Sequence, residues 1–256
     1  MQQLKPIRAT LLGEQTAEND IKLLLPNFIE TPEYRSIIET KDSTVVVGRR
    51  GTGKSAMFAK LQNFWGGQKG ANVIAIAPED YQTISFRAVF KPFHEKYSYV
   101  RSISRVVWKY GLIMEMLCHL AKHFKTRERI SQFRTVEEHI KLWQAAPGGF
   151  FNKLIVRFGP TLRSGEEVEL IIGSIHSDVN LVEIEAQFLE LLKSSSVRFF
   201  ILIDRLDEGY ENDEMGAAIV SGAIAVAAEL NKRYDHVRPV IFQRDNILRA
   251  VQKFDP

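Results

Sequence analysis

The sequence predicts an α/β protein built on a parallel sheet, with a large helical insert set into it. Four short apolar runs carry the strands, at residues 44–47 (TVVV), 72–77 (NVIAIA), 199–203 (FFILI) and 239–243 (PVIFQ). Helical periodicity fills the spaces between them, and strands alternating with helices indicate parallel pairing. The runs are continuous rather than alternating, as befits strands covered on both faces. With 256 residues, 45% hydrophobic and 25% charged, the chain has globular composition.

Residues 1–42 form a lead-in and 43–256 the core. A short helix is expected over 16–25, stopped by Pro26, and another near Pro32 with Tyr34, Ile37 and Ile38 on one side. The first strand runs into a glycine-rich turn and a helix opening at Lys54 or Ser55, with Met57, Phe58, Leu61 and Phe64 at helical spacing. The helical insert covers about 81–196. Within it Ile103, Val106, Val107, Tyr110, Ile113, Met114, Leu117, Leu120 and Phe124 keep one face of a long helix. Thr135 and Glu138 have capping-box spacing, and Pro147-Gly148 closes that helix. Residues 151–158 and 168–175 read equally as strands or as broken helix ends. Residues 181–193 form a helix feeding the third strand. Residues 215–234 make a small-residue helix, whose Gly216, Ala217, Ser221, Gly222 and Ala225 suit close packing on a sheet. Its apolar part, 215–228, is too short and too weakly hydrophobic to span a bilayer.

The first turn carries the chemistry. Gly48, Gly51, Gly53, Lys54 and Ser55 complete G-x-x-x-x-G-K-[ST], the phosphate-binding P-loop pattern. Glycines let backbone N–H groups approach phosphate oxygens, and the helix N-terminus adds its positive dipole end. The expected binding set is Gly48, Arg49, Arg50, Gly51, Thr52, Gly53, Lys54, Ser55 and Ala56. Lys54 would reach the β- and γ-phosphates of ATP, and the Ser55 hydroxyl would ligate Mg²⁺. Such a loop needs a carboxylate at a neighbouring strand tip, and Asp204 follows FFILI directly. Asp207 and Glu208 lie just beyond; either orients or deprotonates the attacking water, or both are turn residues before Gly209. The predicted fold is therefore a P-loop NTPase with strand order 1-4-3-2.

VVVGRRGTGKSA with ILIDRLDE resembles the ATPase core of the STAND, NACHT and KAP families, whose Walker B strand ends in Asp-x-x-Asp-[Glu/Arg]. The likeness covers about 45–65, 199–209 and 238–248. Arg205 stands where NACHT proteins carry a small residue, and the insert has no membrane helices of the KAP kind. The resemblance implies ATP hydrolysis, a polar sensor at the end of the fourth strand (Gln243 or Arg244, the latter alternatively paired with Asp245), and a switch or motor controlling an effector, as in bacterial antiphage defence ATPases. It also implies a fifth strand and a helical lid after the fourth strand, so that the chain is expected either to be a piece of something longer or to lack the lid. In many P-loop ATPases the segment before the first strand lies against adenine, which makes Phe28, Ile29 and Tyr34 candidates for base contact or for core packing.

Other readings are disfavoured. Asp204 is followed by Asp207 rather than the glycine of D-x-x-G, and NKRY at 231–234 ends in Tyr where a GTPase has Asp. No Ser-Gly-Gly signature precedes the third strand, as an ABC ATPase requires. A small-molecule kinase would need an acceptor pocket and lid. His119 and His123 alone fall short of the three or four ligands of a zinc site. Cys118, the single cysteine, excludes an internal disulfide, and the first residues have no signal-peptide core, so a cytoplasmic protein without membrane partners is expected. The net charge is only +3, yet residues 87–134 hold eleven Lys/Arg against three Glu. Arg101, Arg105 and Lys109 fall in one helical row, interleaved with Phe90, Phe93, Tyr97, Tyr99 and Trp108. That row is a candidate surface for nucleic acid, an acidic protein or a second protomer, or a solvated face. Two functions follow: an ATP-driven switch or motor acting on a partner, as an oligomer or through an effector, and a nucleotide-binding scaffold that holds nucleic acid or protein through its insert.

Overall fold

Continuous apolar runs have no solvent face, so they pair side by side and take cover on both sides. The computed structural model describes residues 21–41, 45–93, 96–163, 168–206 and 213–254, and in it the four runs form one sheet. Its strands are β1 (Val45–Gly48), β2 (Ala71–Ile76), β3 (Arg198–Ile203) and β4 (Val237–Arg244). Every pairing is parallel and the order is β1-β4-β3-β2, as predicted. The register aligns Gly48 with Arg244, and Ile203 with both Ile76 and Ile241, so the C-terminal strand ends share one edge.

One face of the sheet meets a thin layer. Phe200, Leu202, Val240 and Phe242 pack on Phe58, Leu61 and Trp65 of a helix spanning Lys54–Gly66 and on Tyr34 and Ile37 of another spanning Pro32–Glu39. With a first turn of helix at Ile21–Asn27, these are α1, α2 and α3 in chain order. Thr31 caps α2 by accepting from the Tyr34 N–H, with Pro32 in the first turn where its missing N–H costs nothing. The Trp65 ring stacks on Phe200 at 4.4 Å. The expected helix over 16–25 falls partly outside the described residues, and α1 continues one residue past Pro26.

The other face is deep. Between β2 and β3 lie α4 (Asp80–Ala88), α5 (Tyr97–Leu120), α6 (Phe124–Ile130), α7 (Arg134–Ala145), α8 (Phe150–Leu162), α9 (Val168–Asp178) and α10 (Leu181–Lys193); α11 (Glu214–Arg233) and α12 (Asp245–Phe254) follow β3 and β4. The ambiguous stretch at 150–176 is thus helical, because its apolar residues join the core in steps of three and four: Phe151, Leu154, Phe158, Leu162 and then Ile171, Ile175. The capping box expected at Thr135 and Glu138 does not form. The helix α7 begins at Arg134, Glu138 pairs with Arg134 at 2.8 Å, and the Thr135 hydroxyl donates to Glu183 at 2.9 Å. A reach-back of that kind occurs at α4, where Gln82 Oε1 accepts from the Glu79 N–H at 3.0 Å.

The long helix α5 is central rather than one-faced. Trp108, Gly111, Leu112, Met116 and Cys118 are buried along with the predicted face as far as Leu120, whereas Phe124, expected on that face, lies beyond the end of α5 and is exposed. Its closest neighbour is α11, and the two run side by side: Ser104 Oγ donates to the Ile219 carbonyl at 3.0 Å, and a Cβ on Gly222 would stand 2.6 Å from Ser104 Oγ. Twenty residues long, α11 exceeds the apolar stretch expected from sequence, and by length and composition it could cross a membrane. Yet 67% of its most apolar window is buried inside this fold, among Ile219, Val220, Val226 and Leu230.

Candidate functional site

The site is built at the shared edge of strand ends. β1 stops at Gly48, and a turn of five residues, 49–53, returns the chain to the N-terminus of α3. That turn needs backbone conformations few residues accept. Gly51 and Gly53 sit at φ of 82° and 85°, in the left-handed region, and Gly53 is the N-cap of α3. Gly48 has a different reason: a Cβ there would lie 2.5 Å from Thr52 Oγ1, which donates to the Arg49 carbonyl at 2.8 Å. Arg49, Arg50, Gly51, Thr52 and Gly53 are exposed, whereas Lys54, Ser55 and Ala56 are half-buried at the helix start. The Lys54 ammonium folds back over the loop and donates to the Gly48 and Arg49 carbonyls, each at 2.8 Å.

Two strands away, Asp204 directly follows β3, 6% exposed, its N–H donating to the Ile76 carbonyl of β2 at 2.9 Å. Its carboxylate is held at both oxygens. Ser55 Oγ donates to Oδ2 at 3.2 Å, and the Arg205 N–H donates to Oδ1 at 2.9 Å. Arg205 reaches that position from φ 61°, a left-handed conformation that costs a non-glycine residue ~1 kcal/mol or more. No sequence signal announces it. Residues predicted 149 positions apart therefore meet, the helix-start hydroxyl against the strand-tip carboxylate.

β4 lies between. Arg244 stands level with Gly48 and Gln243 with Val47. Gln243 is fully buried, and its side-chain amide makes no hydrogen bond among the described residues. Asp245, the alternative partner of Arg244, pairs with Arg249 at 2.9 Å. Asp207 and Glu208 lie outside the described residues. Of the residues offered for base contact or core packing, Tyr34 is a core residue, 1% exposed; Phe28 lies edge-on to it at 5.1 Å, and Ile29 is exposed. No cluster of three or more His, Cys, Asp or Glu suited to a metal occurs among the described residues.

The row Arg101, Arg105, Lys109 makes its contacts within the chain. These side chains turn toward α11 and α10. Arg101 donates to Ser221 Oγ at 3.0 Å, Arg105 pairs with Glu229 at 2.7 Å, and Lys109 bridges Glu229 at 2.5 Å and Glu185 at 3.0 Å. Glu229 feels both burial, which alone would raise its pKa, and the Lys109 and Arg105 contacts, which prevail and lower it. This row ties three helices together, with Lys109 more buried than Arg105, whose side chain is still exposed.

No protein-family model matches the chain, and no solved structure matches it. It is 40% identical over 244 residues to a protein of Escherichia coli (strain K12) named as a transposon gamma-delta 80.3 kDa protein. The match takes in 95% of this chain and 35% of that protein, so the chain spans about a third of the relative's length.

Proposed function

We propose that the chain is a P-loop ATPase of the STAND, NACHT and KAP kind, binding ATP with Mg²⁺ through residues 48–56 and hydrolysing it. The observation that carries this reading is the 3.2 Å contact between Ser55 Oγ and Asp204 Oδ2. A hard divalent cation takes oxygen ligands, and these two oxygens, one on the loop helix and one on a neighbouring strand tip, are the pair such a site uses. Bound there, Mg²⁺ would neutralise charge on the β- and γ-phosphates. The glycine turn offers backbone N–H groups to the phosphates. On nucleotide binding Lys54 would exchange its two loop carbonyls for phosphate oxygens. Asp207 or Glu208 orients or deprotonates water. Gln243 and Arg244 stand at the strand end where nucleotide state can be sensed. The nucleotide cycle then acts as a switch or motor on an effector protein or on further copies of the chain, in a defence or mobile-element setting. A reducing cytoplasm suits the buried Cys118, whose thiol is pushed up to about 11 by burial.

Lys54→Ala should abolish ATP affinity by calorimetry. Asp204→Asn should keep weak nucleotide binding but remove its Mg²⁺ dependence and cut phosphate release by roughly 10²-fold or more. A wild-type chain that binds no ATP refutes the reading; one that binds without turnover is the slow scaffold.

A further inference from the structure

The cations of the insert fall into two populations. Most have a partner within the chain. Arg87 pairs with Asp213, Arg105 and Lys109 with Glu229, Arg129 with Glu190 at 3.2 Å and Arg134 with Glu138, while Lys96 sits 4.5 Å over the Tyr99 ring. Lys122, Lys125 and Arg127 differ. All three are exposed, and none forms an ion pair among the described residues. They surround Phe124, whose ring is 81% exposed.

The geometry of α6 explains the arrangement. Thr126 and Ile130 face inward. At about 100° per residue, Lys125 and Arg127 then flank Phe124 on the outward arc, with Glu128 on the same arc. Lys122 and the exposed His123 precede them in the turn from α5. The corner is braced from within, because the buried Thr126 hydroxyl contacts the Leu120 carbonyl and donates to the His123 carbonyl at 3.1 Å. An aromatic ring thus stands out from a fixed backbone between cations. The corner also lies far from the glycine turn. The His119 ring packs 6.4 Å from Phe199 at the start of β3, whereas Asp204 directly follows that strand, ~17 Å away at strand rise.

We propose that this corner is a platform for single-stranded nucleic acid, on which Phe124 stacks against an unpaired base while Lys122, Lys125 and Arg127 hold the neighbouring phosphates. A solvated charged face has no need of an exposed ring. A duplex keeps its base faces covered. An acidic peptide would satisfy the cations but give the ring no π partner. Stacking plus phosphate contact is the recognition mode that uses all four side chains, and it is tolerant of sequence.

The test is fluorescence anisotropy of the whole chain with labelled oligo-dT, oligo-rU and a duplex, between 50 and 200 mM salt. Three phosphate contacts on a single strand give a slope of about −2, hence a roughly twenty-fold loss of affinity across that range. The triple replacement of Lys122, Lys125 and Arg127 by Gln should flatten that slope. Phe124→Ala and Phe124→Leu should both weaken binding by about five-fold or more, while Phe124→Trp should retain it. The indole of that last variant should be quenched by oligonucleotide, a clean signal because Trp65, Trp108 and Trp143 are buried. Glu128→Gln should tighten binding. Unchanged thermal unfolding midpoints establish that each variant is folded. The proposal is overturned if the wild type binds no single strand at 50 mM salt, if duplex binds as tightly, if Phe124→Leu behaves as wild type, or if polyglutamate binds as well as the oligonucleotides.

Discussion

Arg101, Arg105 and Lys109 lie along the first half of α5; Lys122, Lys125 and Arg127 lie around the corner where α5 gives way to α6. In sequence the two sets look alike, each three cations beside aromatics. In the fold the first set meets Glu229, Glu185 and Ser221 and braces helix against helix, while the second meets no carboxylate among the described residues. A cluster of like charge becomes a surface only where packing supplies no counter-charge, and the counter-charges here come from helices more than seventy positions downstream.

The contrast can be broken most strongly at Lys109. Its side chain is 15% exposed and that of Glu185 9%, so Lys109→Met strands a buried carboxylate that then keeps only Arg233. We expect a loss of about 2–3 kcal/mol in urea denaturation, because removing one partner of a buried pair leaves the other uncompensated. Gly222→Ala attacks the same seam by geometry. The new methyl would meet Ser104 Oγ at 2.6 Å and the Arg105 backbone nitrogen at 3.0 Å, which should cost about 1–2 kcal/mol despite the better helix propensity of alanine.

A smaller effect lies on another side of α5, where Tyr110 Oη and His139 Nδ1 are 2.9 Å apart and buried. Burial first, and Arg157 second, hold His139 below its ordinary value of 6.5. The folded chain therefore takes up that proton less readily than the unfolded one. The stability His139 contributes is present above about pH 6.5 and is lost as pH falls through the lowered value. Denaturation between pH 7.5 and 5 should show this decline, and His139→Gln should remove part of it; His119, lowered mainly by burial, supplies a further part. The smallest effect sharpens the comparison: the triple replacement of Lys122, Lys125 and Arg127 by Gln should move stability by under about 0.5 kcal/mol, as expected of exposed unpaired side chains.

How much was legible follows from these elements. The four strands, their order and the joining of Ser55 to Asp204 are all foreshadowed, because a parallel strand buried on both faces is a plain apolar run and a glycine turn carries its spacing. The helices at 150–176 are not, since short apolar runs fit both periods. The spacing of Thr135 and Glu138 misleads because α7 starts at Arg134, two residues too early for Thr135 to cap it. The Arg205 backbone conformation leaves no trace in residue type. The fate of the α5 cations depends on α10 and α11, whose approach is a property of the tertiary packing.

The strand order has a consequence for how the chain is made. β1 pairs with β4, Val45 opposite Ile241, so the first strand synthesised waits for the last. β2 and β3 are neighbours, yet all of α4 to α10 must emerge between them. Pairings this remote close late and slowly. During synthesis the helical bundle has its local contacts before the sheet exists, and Val45, Val46 and Ile74 stay uncovered until β3 and β4 leave the ribosome. Aggregation during expression should therefore track truncations that remove 237–254 more than those that remove the lead-in.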